Sequence, residues 1–195
     1  MAKNSMKPAS KIVLIGGSAG SLEVILKIIG QLGQTNDFAV IIVVHRRSSQ
    51  DSPLTDLLAA KTSWEVDEPE EKDTILPNHL YIAPADYHLL IERDHSFSLD
   101  DSEKVNFSRP SIDVTFESAA EVYGANTTAV LLSGANADGV EGMQLLKQAG
   151  GTCIAQLPES AEVAYMPEQA IRHVQIDHIL DNDEMAGWIA RLVSA

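Results

Sequence analysis

The sequence predicts an α/β protein with a doubly wound, mostly parallel sheet flanked by helices, and an antiparallel hairpin excursion at one edge. Short apolar runs recur along the chain, and most are followed by a turn and an amphipathic segment. Several runs are rich in β-branched residues, as in strands covered on both faces. The 195 residues are enough for one domain with a substantial core. Functional sites of such folds lie beyond the carboxyl ends of the strands.

The first strand and helix contain the most informative turn. Ile12–Ile15 is an apolar strand, Gly16–Gly20 a tight turn, and a helix begins at Leu22. Its apolar face is predicted to carry four residues: Leu22, Ile25, Leu26 and Ile29. The turn places Ser18 at the carboxyl edge of the sheet, beside the first backbone N–H groups of the helix.

Two functional interpretations of this turn compete with a structural one. Gly16-x-Ser18-x-Gly20 matches the nucleophile-elbow pattern of serine hydrolases. A dinucleotide-binding turn would need glycines where Ser18 and Ser21 stand, and an acid near the position of His45. In the structural interpretation, a serine of the turn simply caps the helix.

The next elements lead to a change of pattern. Phe38–Val44 is an apolar strand that ends at His45, and Ser52-Pro53 opens a helix. The buried side of that helix is predicted to contain Leu54, Leu57 and Leu58. A strand over 64–66 and an acidic surface loop over 67–73 follow. From 74 to 100 the short strand-like pieces predict the antiparallel excursion, with a hairpin turn at 93–95.

The second half of the chain resumes the alternation of strands and helices. Ser111 is the predicted N-cap of a helix that ends at Tyr123, and a small-residue loop, Ser133–Gly139, leads into a helix that ends at Gln148. The other predicted elements are strands Thr127–Leu132, Thr152–Ala155 and His178–Leu180, and helices Met166–Arg172 and Glu184–Val193.

Ser18, His45 and Asp138 each follow a predicted strand, so we expect them at one edge of the sheet. A serine nucleophile needs an imidazole to take its proton and a carboxylate to orient that imidazole. These three residues supply all three functions. The alternatives are an ordinary loop histidine and, for Asp138, a helix N-cap beside Gly139.

Composition limits the choice of partners. A net charge of −14 argues against nucleic-acid binding and against insertion into anionic membranes. The single cysteine, Cys153, lies in an apolar context typical of a core residue, and no segment resembles a signal peptide or a membrane span. The histidines show no metal-ligand spacing, so neither a metal nor another cofactor is expected. We expect a cytoplasmic protein, with residues 1–10 as a disordered lead-in and 11–195 as the single domain.

Several segments resemble the catalytic domain of the chemotaxis protein-glutamate methylesterases of the CheB type. They extend over nearly the whole chain and read IGGSAGS, VVH, LPNHLYIAPADYHLLI, RPSIDVTF, LLSGANADGVEG and AQLPESAEVAYMPEQAI. The resemblance implies a hydrolase that removes γ-methyl groups from receptor glutamates, and often deamidates receptor glutamines. It implies Ser18 as nucleophile, His45 as general base and Asp138 as orienting acid.

Three departures from the usual family motifs concern the surroundings of these residues. Ala19, in the Ser18-Ala19-Gly20-Ser21 turn, replaces a threonine, and Ala135 replaces a methionine. Ala19, Gly20 and Ala135 form the expected turn and oxyanion site, where backbone N–H groups remain whatever the side chain. Cationic side chains stand at Arg46 and Arg47 instead of Met-Pro, and together with Arg109 they are candidates for substrate binding.

The expected partners are methylated cytoplasmic helices of chemoreceptors. The sequence does not include the N-terminal receiver domain typical of the family, so we expect either a fragment of a longer protein or a stand-alone hydrolase. A receiver domain or another signalling protein acting in trans is a candidate partner. The alternative function is a weakly active or inactive receptor-binding module on the same fold. A nucleotide-binding module is a third possibility.

Overall fold

The computed structural model describes residues 6–46 and 53–195, which contain a seven-stranded parallel sheet with helices on both faces. Within these residues there are nine strands: β1 (Lys11–Gly17), β2 (Phe38–Val44), β3 (Glu65–Asp67), β4 (His79–Ile82), β5 (His88–Ile91), β6 (Phe97–Asp100), β7 (Thr127–Leu131), β8 (Thr152–Gln156) and β9 (His178–Leu180). The described part of the chain also forms six α-helices: α1 (Leu22–Ile29), α2 (Pro53–Ala59), α3 (Ile112–Val122), α4 (Val140–Gln148), α5 (Tyr165–His173) and α6 (Asn182–Ser194). The sheet order is β3-β4-β2-β1-β7-β8-β9, which confirms the predicted fold class.

The central strands divide their side chains between two cores. In β1, Ile12 and Leu14 lie in the core covered by α3, α4 and α5, while Val13 and Ile15 lie in the core covered by α1 and α6. Successive residues of a strand point to opposite faces, so an unbroken apolar run is what a sheet covered on both sides requires. Across the described residues, none of the helices combines the length and the apolarity needed to cross a membrane.

The antiparallel excursion is smaller than expected. β5 and β6 form a separate two-stranded hairpin with its turn at Arg93–His95, and this hairpin packs against α3. The preceding piece, β4, is instead a parallel strand between β2 and β3, with Leu80 opposite both Val40 and Val66. The connection from β3 to β4 contains no helix, so the usual sequence sign of a parallel crossover is missing there.

Two predicted helix faces need correction. In α1 the buried residues are Val24, Ile25, Ile28 and Ile29, whereas Leu22 is 41% exposed. Apolar residues occupy nearly every position of this helix, so its periodicity does not identify the buried side. In α2, Leu58 is buried but Leu57 is exposed. Ser52 lies outside the described residues.

The expected disorder of residues 1–10 is wrong for the end of that segment. Ala9 is buried, its N–H donates to the carbonyl of Ile75 (2.9 Å), and its carbonyl accepts a hydrogen bond from the hydroxyl of Tyr123 (3.1 Å). Backbone pairing of this kind ties the segment to the domain. No local sequence pattern predicts this pairing, because Ile75 and Tyr123 lie far from Ala9 along the chain.

The close approach of α3 and α4 depends on Gly142. A Cβ at this position would lie 2.5 Å from Cβ of Phe116 and 3.1 Å from the carbonyl oxygen of Asp113. Two helices can come this close only where one of them lacks a side chain. The contact matters for the site described below, because α3 and α4 both border it.

We therefore expect Gly142→Ala to lower the free energy of unfolding by about 1–3 kcal/mol through overpacking, despite the better helix propensity of alanine. The measurement is urea denaturation. Gly187→Ala in α6 is the matched control, since its Cβ would meet only the flexible end of Arg191 at 3.3 Å. The control should be more stable by up to about 1 kcal/mol. Equal stability of Gly142→Ala and the unsubstituted protein would contradict this account.

Candidate active site

Ser18 directly follows β1 in a turn that is held at several points. Its N–H donates to the carbonyl of Ser133 (2.9 Å), and its carbonyl accepts from both the N–H (3.1 Å) and the hydroxyl (2.7 Å) of Ser21. Gly20 has φ +79°, and a Cβ there would collide with the side chain of Glu162. The glycine therefore allows the chain to turn sharply into α1. Ser21 occupies the N-cap position without a side-chain capping bond, so this turn is not a simple serine cap.

His45 directly follows β2, the neighbour of β1. Gly17 pairs with Val44 at the ends of the two strands, and the N–H of His45 donates to the carbonyl of Gly17 (3.3 Å). The mostly buried imidazole lies with Nε2 2.7 Å from Oδ2 of Asp138. An ionised carboxylate only accepts hydrogen bonds, so Nε2 carries the proton and Nδ1 is the nitrogen able to accept one.

Asp138 is fully buried, and its carboxylate lies at the N-terminus of α3. It accepts hydrogen bonds from backbone N–H groups of Ile112 (2.7 Å) and Asp113 (3.0 Å) and from the hydroxyl of Ser111 (2.9 Å). Asn106 donates a further, longer bond (3.2 Å). The alternative of an N-cap for the following helix is wrong, because Gly139 occupies that position in α4.

The electrostatics of this carboxylate follow from its partners. Burial would raise the pKa of Asp138, but the hydrogen bonds from His45 and from the N–H groups of Asp113 and Ile112 outweigh it, and the pKa lies below its usual value. The positive end of the helix dipole acts in the same direction. Asp138 is therefore ionised at neutral pH and can stabilise a positive charge on the imidazole of His45.

A small apolar cavity adjoins Ser18 and His45. Its volume is about 170 Å³, and its walls include Leu22, Ile25, Ile42 and Leu54. Leu22 is half-exposed because it lines this cavity at the first turn of α1 instead of facing the core. The space suits a short aliphatic chain better than a charged one.

The N–H groups expected to bind an oxyanion are free to do so. In the described part of the chain, the backbone N–H groups of Ala19 and Ala135 have no hydrogen-bond acceptor. Ser133 precedes Ala135 in the same loop and joins it to the turn of Ala19, because its hydroxyl donates to the carbonyl of Ala19 (2.7 Å) and its carbonyl accepts from the N–H of Ser18 (2.9 Å). The sequence analysis missed Ser133, although it lies in the LLSGANADGVEG segment.

Two of the three candidate substrate-binding arginines, Arg46 and Arg109, line a second cavity, of about 380 Å³, that also borders His45. Arg46 pairs with Glu68 (2.5 Å) and donates to the carbonyl of Ala83 (3.3 Å). Arg109 donates through Nη1 to two backbone carbonyls, those of Asp101 (2.5 Å) and Ser102 (2.6 Å). The structure thus brings Arg46 and Arg109 together, while Arg47 lies outside the described residues.

Asp113 is a second buried carboxylate, and Asn106 donates hydrogen bonds both to it and to Asp138. The sequence did not identify Asp113 as part of the site. Asp113 accepts hydrogen bonds from the N–H of Gly142 (2.8 Å) and from the amide of Asn106 (2.8 Å). Burial is the main cause that raises the pKa of Asp113 to about 7, and the charge of Asp138 raises it further. Asp113 lies in the RPSIDVTF segment, but an acid in the first turn of a helix is common enough to hide its burial.

Groups that could hold a metal lie elsewhere. Within residues 6–46 and 53–195, one set of three possible ligand atoms, from Glu65, Asp67 and His79, lies within 4.8 Å of one another. The two carboxylates are exposed on the edge strand β3, far along the sheet from β1. Exposed acidic groups of this kind are common without an ion, and the absence of a metal stays a prediction. Cys153 is buried, and burial raises the pKa of its thiol to about 12, as expected of a core residue.

Comparison with known proteins identifies the family. The family model described as CheB methylesterase matches residues 13–189. This chain belongs to the CheB methylesterase family. It is therefore a methylesterase domain, a hydrolase of the kind predicted from its sequence motifs.

Individual relatives agree with this assignment. A protein of Leptospira interrogans named "Putative protein-glutamate methylesterase/protein-glutamine glutaminase" is 39% identical over 180 residues, covering 92% of this chain and 93% of the relative. A protein-glutamate methylesterase/protein-glutamine glutaminase of Hydrogenovibrio crunogenus is 35% identical and covers 89% of this chain, which spans only 47% of that relative. The crystal structure of the Thermotoga maritima CheB methylesterase catalytic domain superposes with a TM-score of 0.88 at 33% identity, covering 94% of this chain and 98% of that one.

The raised pKa of Asp113 predicts a pH dependence of stability. The unfolded chain loses this proton near pH 4, while the folded protein keeps it up to about pH 7. Between these values the folded state binds more protons, so this group makes stability fall as pH rises, by at most about 1.4 kcal/mol per pH unit.

We expect Asp113→Asn to remove this contribution. Urea denaturation at several pH values measures it as the difference between variant and unsubstituted protein, which should grow from pH 4 to 7 and then level off. Glu117→Gln, an exposed carboxylate on the same helix, is the control. A difference that does not vary with pH would refute the assignment.

Proposed function

We propose that this protein hydrolyses the γ-methyl esters of glutamate residues on cytoplasmic helices of chemoreceptors, with Ser18, His45 and Asp138 as its catalytic residues. The observation that carries the proposal is the Asp138–His45 hydrogen bond at the carboxyl ends of strands that also hold Ser18. Family membership supports the reaction class, since the relatives named above are methylesterases and glutaminases of protein glutamyl and glutaminyl residues.

In the proposed mechanism Ser18 Oγ attacks the ester carbonyl carbon while Nδ1 of His45 takes the hydroxyl proton. Asp138 stabilises the imidazolium that forms. Collapse of the tetrahedral intermediate breaks the bond to the methoxy group, which leaves as methanol with the proton from His45. Water, activated by His45, then hydrolyses the glutamyl-enzyme, which restores Ser18 and frees the receptor helix with an unmodified glutamate residue. Deamidation of glutamine would follow the same steps with ammonia as the leaving group.

The backbone N–H groups of Ala19 and Ala135 are the proposed donors to the oxyanion. Neither N–H group has an acceptor among the described residues, and both belong to loops tied together through Ser133. The replacement of threonine and methionine side chains at these positions leaves backbone donors intact. Gly20 supports this arrangement by permitting the turn.

The proposed partners follow from the same reaction. Arg46, Arg47 and Arg109 are candidates to attract the acidic receptor helix, and a receiver domain or another signalling protein in trans is the proposed source of control. A cytoplasmic location fits receptors whose methylated helices lie in the cytoplasm. The proposal includes no cofactor, no nucleic acid and no insertion into the membrane.

Ser18→Ala is expected to reduce methanol release from a methylated receptor cytoplasmic fragment to background, because it removes the hydroxyl that would attack the ester. Ser10→Ala, an exposed serine far from the site, is the control and should retain full activity. Circular dichroism establishes that both variants are folded. Unchanged release by Ser18→Ala would defeat the proposal, and binding without release by the unsubstituted protein would favour the receptor-binding module.

Asp138→Asn should lower kcat on the order of 10⁴-fold, since an amide that donates to Nε2 imposes the wrong imidazole tautomer. The measurement is the rate of methanol release at saturating receptor fragment. Because Asp138 accepts several hydrogen bonds, thermal unfolding of the variant must be recorded alongside. A folded variant that keeps more than a tenth of the rate would exclude this function for Asp138.

A further inference from the structure

The loop 101–109 holds an aromatic side chain in water beside the candidate active site. Phe107 is 97% exposed, while the other exposed large hydrophobic residues of the described chain reach at most 58%. It lines the 380 Å³ cavity together with His45. Its ring gains little from burial on folding, and its place beside this cavity makes the ring available to a bound partner.

The backbone of the loop is unusual at Phe107 and the residue before it. Asn106 and Phe107 have φ values of +50° and +63°, a conformation that side chains other than asparagine and aspartate rarely adopt. Strained conformations of this kind concentrate at binding and catalytic sites. Reciprocal backbone hydrogen bonds between Val105 and Ser108 (3.1 and 2.9 Å) close the turn around Phe107.

The loop is also anchored to the catalytic machinery. Arg109 holds its first residues through the carbonyls of Asp101 and Ser102, and Nε2 of His88 lies 2.9 Å from the carbonyl oxygen of Glu103. Asn106 donates to Asp138. The position of Phe107 relative to His45 is therefore built into the fold, which lowers the conformational entropy lost on binding.

The charge around Phe107 indicates the kind of partner. Arg46, Lys104 and Arg109 border the cavity, with Asp86 as its only acidic lining residue among those described, in a chain of net charge −14. The lining is therefore net positive, although Glu68 balances Arg46 in part and Asp101 and Glu103 lie in the same loop, and a net positive lining attracts an acidic segment. An acidic helix with apolar residues beside its glutamates offers both complementary charge and a contact for the aromatic ring.

We propose that the loop 101–109 is a docking element for the substrate helix, in which Phe107 packs against an apolar side chain next to the esterified glutamate and Lys104 attracts its acidic neighbours. The proposal rests on the proposed function for the identity of the substrate. What it adds to that function is that affinity for the substrate helix depends on Phe107, a residue that takes no part in bond making or breaking.

Binding is measured in the Ser18→Ala background, so that the ester is not consumed, by fluorescence anisotropy of a labelled, methylated receptor cytoplasmic fragment. Adding Phe107→Ala should weaken affinity about tenfold, as for an aromatic anchor at the centre of an interface. Phe107→Leu should recover most of the loss. Ile179→Ala, an exposed apolar residue on β9 at the far edge of the sheet, is the matched control and should bind normally.

Turnover separates this proposal from the proposed function. With Ser18 present, Phe107→Ala should raise KM for methanol release about tenfold and change kcat by less than twofold. Binding that depends on Phe107 without any methanol release would support the docking proposal and contradict the proposed esterase function. Methanol release by Phe107→Ala with an unchanged KM would support the esterase function and contradict the docking proposal. Equal affinity of Phe107→Ala and Ile179→Ala, no binding by either, or self-association that disappears in Phe107→Ala would overturn the docking proposal.

Discussion

The carboxylate of Asp138 at the N-terminus of α3 is the interaction on which the site depends. A buried carboxylate is stable only when donors replace the water it has lost, and here two backbone N–H groups, a serine hydroxyl and the imidazole of His45 do so. The same bonds lower its pKa and keep it charged. The helix thus orients the acid, the acid orients the imidazole of His45, and Nδ1 is left as the nitrogen able to accept a proton. A displacement of α3 would therefore move the carboxylate of Asp138 and, with it, the imidazole of His45.

Sheet register brings the remaining parts into reach of that carboxylate. Gly16 pairs with Val43 and Leu131, so β1 ends beside both β2 and β7 and the three following loops share one edge. Ser133 then ties the turn after β1 to the loop after β7. Positions this well determined by backbone pairing cost little further entropy when a substrate binds, which is one way in which a rigid scaffold aids catalysis.

Cationic side chains border the cavity beside His45, although the chain as a whole is acidic. A chain of net charge −14 would repel an acidic receptor helix, but the cavity beside His45 is bordered by Arg46, Lys104 and Arg109. Two of these cations are also used to hold the structure, Arg46 against Glu68 and Arg109 across the base of the loop 101–109. Their charges are therefore fixed in place and partly balanced, which favours orientation of a partner over indiscriminate attraction.

The sequence by itself determined the parallel sheet, the strand ends that hold Ser18, His45 and Asp138, and the family, because apolar periodicity and short motifs are local properties of the chain. It did not reveal that β4 is a parallel strand, that Leu22 faces a cavity, or that Ala9 is buried, since each depends on partners distant in sequence. Nor did it show that Asp138 is held by α3 instead of capping α4, or that Asp113 and Asn106 stand behind it. Only the tertiary structure decided these points, because hydrogen bonding and burial between separate elements arise when the elements pack together.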